Sequence, residues 1–70
     1  MSEVKASMAG NVWKIVVSAG DEVEAGEDVA ILESMKMEIP ISAEQSGTVK
    51  EIKAKEGDFI NEGDVIAVIE

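Results

Sequence analysis

The sequence predicts a small all-β protein, and three observations lead to that prediction. Its 70 residues contain an internal repeat, because residues 4–33 align with residues 41–70 without a gap when the sequence is shifted by 37 positions. Glycine-centred turns recur at matched places in both halves, and apolar residues follow the strand period of two. Two halves that are each too small to bury an apolar face must share one core. A small sandwich or flattened barrel with approximate two-fold symmetry follows.

Nine identities in thirty aligned positions support the repeat, and most of them fall at turn glycines or apolar residues. The identical pairs are Ala6/Ala43, Val12/Val49, Ile15/Ile52, Ala30/Ala67, Glu33/Glu70, Gly10/Gly47, Gly20/Gly57, Asp21/Asp58 and Gly26/Gly63. Identity of turn glycines and apolar residues at a fixed spacing is typical of a duplicated structural unit. We therefore expect one domain over residues 1–70, with residues 34–40 as the segment that joins the two repeats. Trp13 aligns with Lys50, so we expect its ring to pack partly against the sheet, with contact to a partner protein as the alternative.

The strands are predicted from apolar spacing. Val12, Ile15 and Val17 mark the first long strand, and their spacing changes from three to two, which predicts a bulge. Other short segments rich in β-branched residues are also expected to be strands; they are Val23, residues 29–32, residues 59–60 and residues 65–69. The longest glycine-free stretch, residues 27–46, contains Pro40 and alternating apolar residues. No helix is therefore expected.

Composition excludes several classes of function. The chain has no histidine and no cysteine, which removes imidazole and thiolate catalysis, disulfides and the commonest metal ligands. Fifteen acidic residues against six lysines give a net charge of −9, so nucleic acids and anionic membranes are poor partners. A glycine-containing segment that starts at Asp58 resembles a calcium loop, but Ile60 and Ile69 occupy ligand places, and no metal site is expected. Without a transmembrane-length apolar run or a signal peptide, we expect a cytoplasmic protein. We also expect a monomer.

The segment between the repeats has residues that a purely structural hairpin does not favour. Residues 34–40 are the symmetry partner of the gap between the chain ends, so we expect a hairpin at the opposite end of the domain. Its tip, Met35-Lys36-Met37, lacks the Asn-Gly or Asp-Gly pair typical of tight hairpins. Exposed methionines add nothing to a core, whereas their adaptable side chains suit contact with another protein. The tip is therefore the candidate functional site.

Residues 33–38, Glu-Ser-Met-Lys-Met-Glu, resemble the attachment motif of biotinyl domains, in which the lysine between two methionines carries biotin as an amide. The resemblance extends over nearly the whole chain; it includes residues 8–10, 19–21, 24–28, 46–49 and 56–58. In size the chain is similar to the small biotin/lipoyl attachment proteins of bacteria. The resemblance implies a flattened barrel of two four-stranded antiparallel sheets, with the lysine on an exposed hairpin.

The same resemblance implies a carrier and not an enzyme. Lys36 would bear biotin covalently, and Met35 and Met37 would be recognition handles for a biotin protein ligase and for later partners. The biotin would shuttle carboxylate between a biotin carboxylase and a carboxyltransferase. No catalytic residue is expected in the chain itself.

Two alternatives stay open at this point. Lipoyl domains share the fold and the hairpin lysine, so the chain is alternatively a lipoyl carrier, or an acceptor of both groups, modified on Lys36 by a lipoate ligase. Lipoyl domains usually have an acidic residue before that lysine, and Met35 therefore favours biotin. The second alternative is an unmodified structural or binding module.

Overall fold

The computed structural model describes residues 2–70, which contain eight β-strands and no helix. The strands are β1 (Ser2–Lys5), β2 (Gly10–Ile15), β3 (Glu22–Val23), β4 (Asp28–Ser34), β5 (Met37–Ser42), β6 (Gly47–Ile52), β7 (Phe59–Ile60) and β8 (Val65–Ile69). The predicted all-β class is confirmed. In this part of the chain no helix has the length and apolarity that crossing a membrane requires.

The strands form two four-stranded antiparallel sheets, as predicted. One sheet has the order β1-β8-β6-β3 and the other the order β5-β4-β2-β7. We call the second the hairpin sheet, because β4 and β5 are joined by the segment between the repeats. We call the first the terminal sheet, because β1 and β8 pair there and bring Ser2 opposite Ile69.

The two-fold symmetry predicted from the repeat is also seen in individual hydrogen bonds, which recur at equivalent positions in the two halves. A shift of 37 residues carries β2 onto β6, β3 onto β7, and one sheet onto the other. The Gly20 N–H donates to the Val49 carbonyl at 2.7 Å. In the equivalent bond, the Gly57 N–H donates to the Val12 carbonyl at 2.8 Å. Each bond ties a turn of one repeat to a strand of the other, so the two halves complete one another.

The core lies between the sheets and is aliphatic. The largest fully buried side chains are Leu32, Ile66, Ile69, Val12, Val29 and Val49. Among the described residues no polar or charged side chain is buried. Burial of each such aliphatic side chain contributes about 1.5–3 kcal/mol, and close packing makes the barrel a rigid support for its turns.

The bulge predicted in the first long strand is confirmed. Pairing of β2 with β4 shifts register between Val12 and Lys14, which leaves Trp13 as the extra residue. Val17 packs against the core but lies beyond β2, contrary to the strand prediction. The next N–H, that of Ser18, donates to the Asp21 carboxylate at 2.8 Å, so a turn begins there and the strand ends.

Gly47 allows β6 to pass closely beside the end of the chain. A Cβ at this position would lie 2.5 Å from the Glu70 carbonyl oxygen and 2.7 Å from Cγ2 of Ile69. Thr48 and Glu70 exchange two backbone hydrogen bonds there, at 3.0 and 2.8 Å, so neither segment shifts freely. We expect Gly47→Ala to lower the free energy of unfolding by about 1–3 kcal/mol through overpacking.

Urea denaturation measures this effect, with Thr48→Ala as the matched control. Thr48 is the exposed neighbour of Gly47, and its replacement is expected to change the free energy of unfolding by less than about 0.5 kcal/mol. Equal unfolding midpoints for the two variants would show that β6 and the chain end adjust without cost.

Candidate functional site

The hairpin between the repeats is tighter than the sequence predicted. Ser34 pairs with Met37 as the last pair of β4 and β5, so only Met35 and Lys36 form the turn. The remaining residues of the predicted 34–40 segment belong to strands. This is a correction of extent, because cross-strand pairing continues past the end of the repeat. The hairpin itself is present as predicted.

Both turn residues have a left-handed backbone. Their φ angles are 52° at Met35 and 64° at Lys36, and they are the only non-glycine residues with positive φ in residues 2–70. Two successive positive φ values are the pattern of a type I′ turn, which fits the right-handed twist of paired strands. For residues other than glycine, asparagine or aspartate this backbone costs about 1–2 kcal/mol each. Folding alone therefore does not account for a methionine and a lysine here, and the strain indicates a functional requirement.

The three predicted site residues come together at the tip and face solvent. Met35 is 90% exposed and Met37 is 63% exposed, and Lys36 is exposed as well. The ion pairs found in residues 2–70 involve other lysines, and none of them involves Lys36. The predicted exposure of both methionines is confirmed. The amine of Lys36 is thus presented without a competing carboxylate.

Gly10 supports the base of the hairpin, a contribution that the sequence reasoning missed. A Cβ on Gly10 would lie 2.9 Å from the Glu33 carbonyl oxygen and 3.3 Å from Cβ of Ser34. Absence of a side chain therefore lets β2 approach β4 directly below the turn. The signal was present in the repeat, since Gly10 aligns with Gly47, which has the same close approach to Glu70.

The chemistry available at the tip is that of a primary amine. In the described residues no three acidic, histidine or cysteine side chains come together as metal ligands. A lysine amine on its flexible stem forms an amide when it meets an activated carboxyl group. The strands on either side of the turn belong to one packed sheet, so the stem starts from a fixed place. The site therefore suits covalent attachment of a carboxylic acid cofactor whose activation comes from another protein.

Comparison with known proteins decides the family. The model of the family described as biotin-requiring enzyme, a biotin/lipoyl domain, matches residues 2–69. The chain belongs to this family. The predicted resemblance to biotinyl and lipoyl attachment domains is confirmed.

Similar proteins differ in how much of their length this biotin/lipoyl domain occupies. The biotin/lipoyl attachment protein of Bacillus subtilis is 68% identical over 63 residues, which is 90% of this chain and 86% of that protein. A biotinylated protein TB7.3 homolog of Mycobacterium leprae is 45% identical over 67 residues, 96% of this chain and 94% of that one. The crystal structure of Kluyveromyces lactis urea carboxylase superimposes with a TM-score of 0.93 at 42% identity, over 99% of this chain and only 6% of the carboxylase.

Proposed function

We propose that this protein is a biotin carrier modified on Lys36. The observation that carries the proposal is the exposed, left-handed Met35–Lys36 turn at the tip of a rigid hairpin. Membership of the biotin/lipoyl family supports it, as do two relatives of similar size whose names refer to biotin attachment or biotinylation. The extent of the domain over residues 1–70, a monomeric state and a cytoplasmic location stay predictions.

Attachment requires a reaction that the chain does not catalyse itself. A biotin protein ligase holds biotin as its mixed anhydride with AMP, biotinyl-adenylate. The deprotonated Nζ of Lys36 attacks the carbonyl carbon, an amide bond forms, the anhydride bond breaks and AMP leaves with the electron pair. Of the two protons on the attacking amine, one stays on the amide nitrogen and the other passes to solvent or to a base of the ligase. Met35 and Met37 flank the amine and give the ligase apolar side chains to grip.

Once attached, biotin supplies the hard chemistry, because its ureido nitrogen accepts carboxylate at one active site and releases it at another. The chain itself positions the attached group. The flexible side chain of Lys36 starts from a rigid hairpin, so the group at its end moves within a defined volume. Those two active sites belong to a biotin carboxylase and a carboxyltransferase, which are the proposed catalytic partners. The carrier itself needs no acid, base or metal.

Lipoate is the second candidate group. The same amine would form the same type of amide with lipoic acid in a lipoate ligase, and the name of the Bacillus subtilis relative refers to both groups. Met35 stands where an acidic residue is usual in lipoyl domains, and this favours biotin. An unmodified binding module has no comparable support, since it gives no reason for a strained methionine and lysine at an exposed turn.

The proposal is tested by two parallel reactions on the purified chain. One contains a biotin protein ligase, biotin and ATP, and the other contains a lipoate ligase, lipoate and ATP. Intact-mass spectrometry is expected to show a single biotinyl addition, and peptide mapping is expected to place it on Lys36. Failure of both reactions, or addition to another of the six lysines, would contradict the proposal.

A further inference from the structure

The outer faces of the two sheets differ although the sheets are equivalent by symmetry. Three exposed positions of the hairpin sheet are apolar where their counterparts in the terminal sheet are charged. The pairs are Trp13/Lys50, Phe59/Glu22 and Pro40/Glu3. Since the same backbone accepts charged residues in the terminal sheet, the fold does not require apolar residues in the hairpin sheet. Their presence there calls for another cause.

Strand register places these apolar residues on one surface. Phe59 lies opposite Asn11, two residues before Trp13 on the same strand, so the two aromatic side chains are diagonal neighbours. Ile31, on the next strand, is half-buried; it lies opposite Pro40 of the edge strand and, on its other side, opposite the exposed Lys14 of β2. Trp13 is 50% exposed and Phe59 is 63% exposed. Two exposed aromatic side chains close together on one sheet face are typical of an interaction site.

Two carboxylates on the hairpin sheet also indicate an interaction site. Glu33 and Glu38 lie directly opposite each other at the base of the hairpin, both exposed, and like charges in this arrangement destabilise a sheet. In the terminal sheet the counterpart of Glu33 is Glu70, which pairs with Lys50 at 4.0 Å. Trp13 takes the place of that lysine in the hairpin sheet, so Glu33 loses the equivalent partner. The ion pairs found in residues 2–70 all lie on the terminal sheet or directly beside its strands.

We propose that this outer face of the hairpin sheet is the docking surface for the biotin protein ligase, an inference that rests on the proposed function. The face reaches the tip, because Glu33 and Glu38 lie on β4 and β5, the two strands that the turn with Lys36 joins. The complementary surface of the ligase has an apolar area that contacts Trp13 and Phe59. Basic groups beside this area pair with Glu33 and Glu38. Burial of aromatic side chains supplies affinity, and the opposite charges supply orientation and association rate.

The ligase is favoured over the catalytic partners because it meets the chain before modification. A carboxylase or carboxyltransferase site holds the biotin group itself, which contributes binding energy. The ligase receives only an amine, and the chain has six lysines. Recognition must then come from Met35 and Met37 at the tip together with the folded surface beside the hairpin, and the face with Trp13, Phe59 and the two carboxylates supplies that surface.

The test replaces the two aromatic residues by those of the terminal sheet. The double variant Trp13→Lys with Phe59→Glu carries residues that this backbone already accepts at Lys50 and Glu22, so it is expected to fold. Steady-state kinetics of a biotin protein ligase are expected to give a KM for the carrier raised about tenfold or more. The kcat is expected to stay within about twofold, since the tip is intact.

Two further variants separate the apolar and charged contributions. The matched control, Glu22→Gln with Lys50→Gln, changes the same positions of the terminal sheet, and its KM is expected to equal that of the original chain. Glu33→Gln with Glu38→Gln is expected to raise the KM and to weaken its dependence on salt concentration. Thermal unfolding of every variant reports whether the fold is intact. If the aromatic double variant unfolds, the single variant Phe59→Gln replaces it, because Phe59 is more exposed than Trp13.

The outcomes distinguish this inference from the proposed function. If the original chain is biotinylated and the aromatic variant has an unchanged KM, the docking surface is wrong and the carrier function stands. If ligase kinetics are unchanged but carboxylation of the attached biotin slows, the face belongs to a catalytic partner and the ligase assignment is overturned. If the original chain is not biotinylated at all, the proposed function fails first.

Discussion

Replacement of Lys36 by arginine is expected to abolish biotinylation while leaving the fold unchanged. Arginine keeps the positive charge, but its guanidinium is not a usable amine nucleophile. The side chain at this position is exposed, and both residues adopt the backbone with φ of 64° at similar cost. The free energy of unfolding is therefore expected to move by less than about 0.5 kcal/mol. Intact mass after reaction with the ligase, together with thermal unfolding, measures both quantities.

Lys55→Arg is the matched control for this result. Lys55 is exposed and lies in the turn that precedes β7, outside the hairpin. Its variant is expected to accept biotin as fully as the original chain. A biotinyl group on the Lys36→Arg protein, or loss of modification in the Lys55→Arg protein, would place the attachment site elsewhere.

Replacement of Met35 by aspartate is expected to lower biotinylation by about tenfold or more, since a charged group would have to be desolvated where the ligase expects an apolar side chain. The change also produces the acidic-lysine pattern of lipoyl domains, so lipoylation is expected to hold or to rise. Stability is expected to be unchanged or slightly higher. Met35 is 90% exposed and loses no burial, and aspartate tolerates a φ of 52° better than methionine does.

Met35→Leu separates charge from shape in this experiment. Leucine is apolar and of similar volume, so its variant is expected to stay a good substrate of the biotin ligase. Equal rates of biotinylation for the original chain and for Met35→Asp would remove the specificity argument. A large drop in melting temperature would instead show that Met35 is part of the core, where loss of a methionine costs about 2–5 kcal/mol.

The sequence predicted the architecture because duplicated turn glycines and apolar positions record the same backbone twice. The bulge at Trp13 was predictable for a similar reason, since a change in apolar spacing requires an extra residue. Strand β1 was not predicted. It has a single buried core residue, Val4, and its existence depends on pairing with β8, where Val4 lies opposite Ala67. A strand formed by long-range pairing leaves little local pattern to detect.

The candidate site was predictable in its residues but not in its geometry. The motif around Lys36 is a property of sequence, and so is the chemistry of an amine between two methionines. The left-handed turn was not predictable, because Met-Lys is not a pair that favours positive φ; the twist of β4 and β5 imposes it. The shared outer face of Trp13 and Phe59 was also hidden, since it depends on the register that places Phe59 opposite Asn11.

The most direct test of the carrier function is the intact mass of the protein isolated from the cells that naturally make it. Digestion and peptide mapping of the same sample identify the modified residue. Modification of Lys36 by one biotinyl group, which decreases when the cells are deprived of biotin, is the result we predict. A chain that carries no group on Lys36 in biotin-replete cells, while other proteins of those cells are biotinylated, would contradict the proposed function.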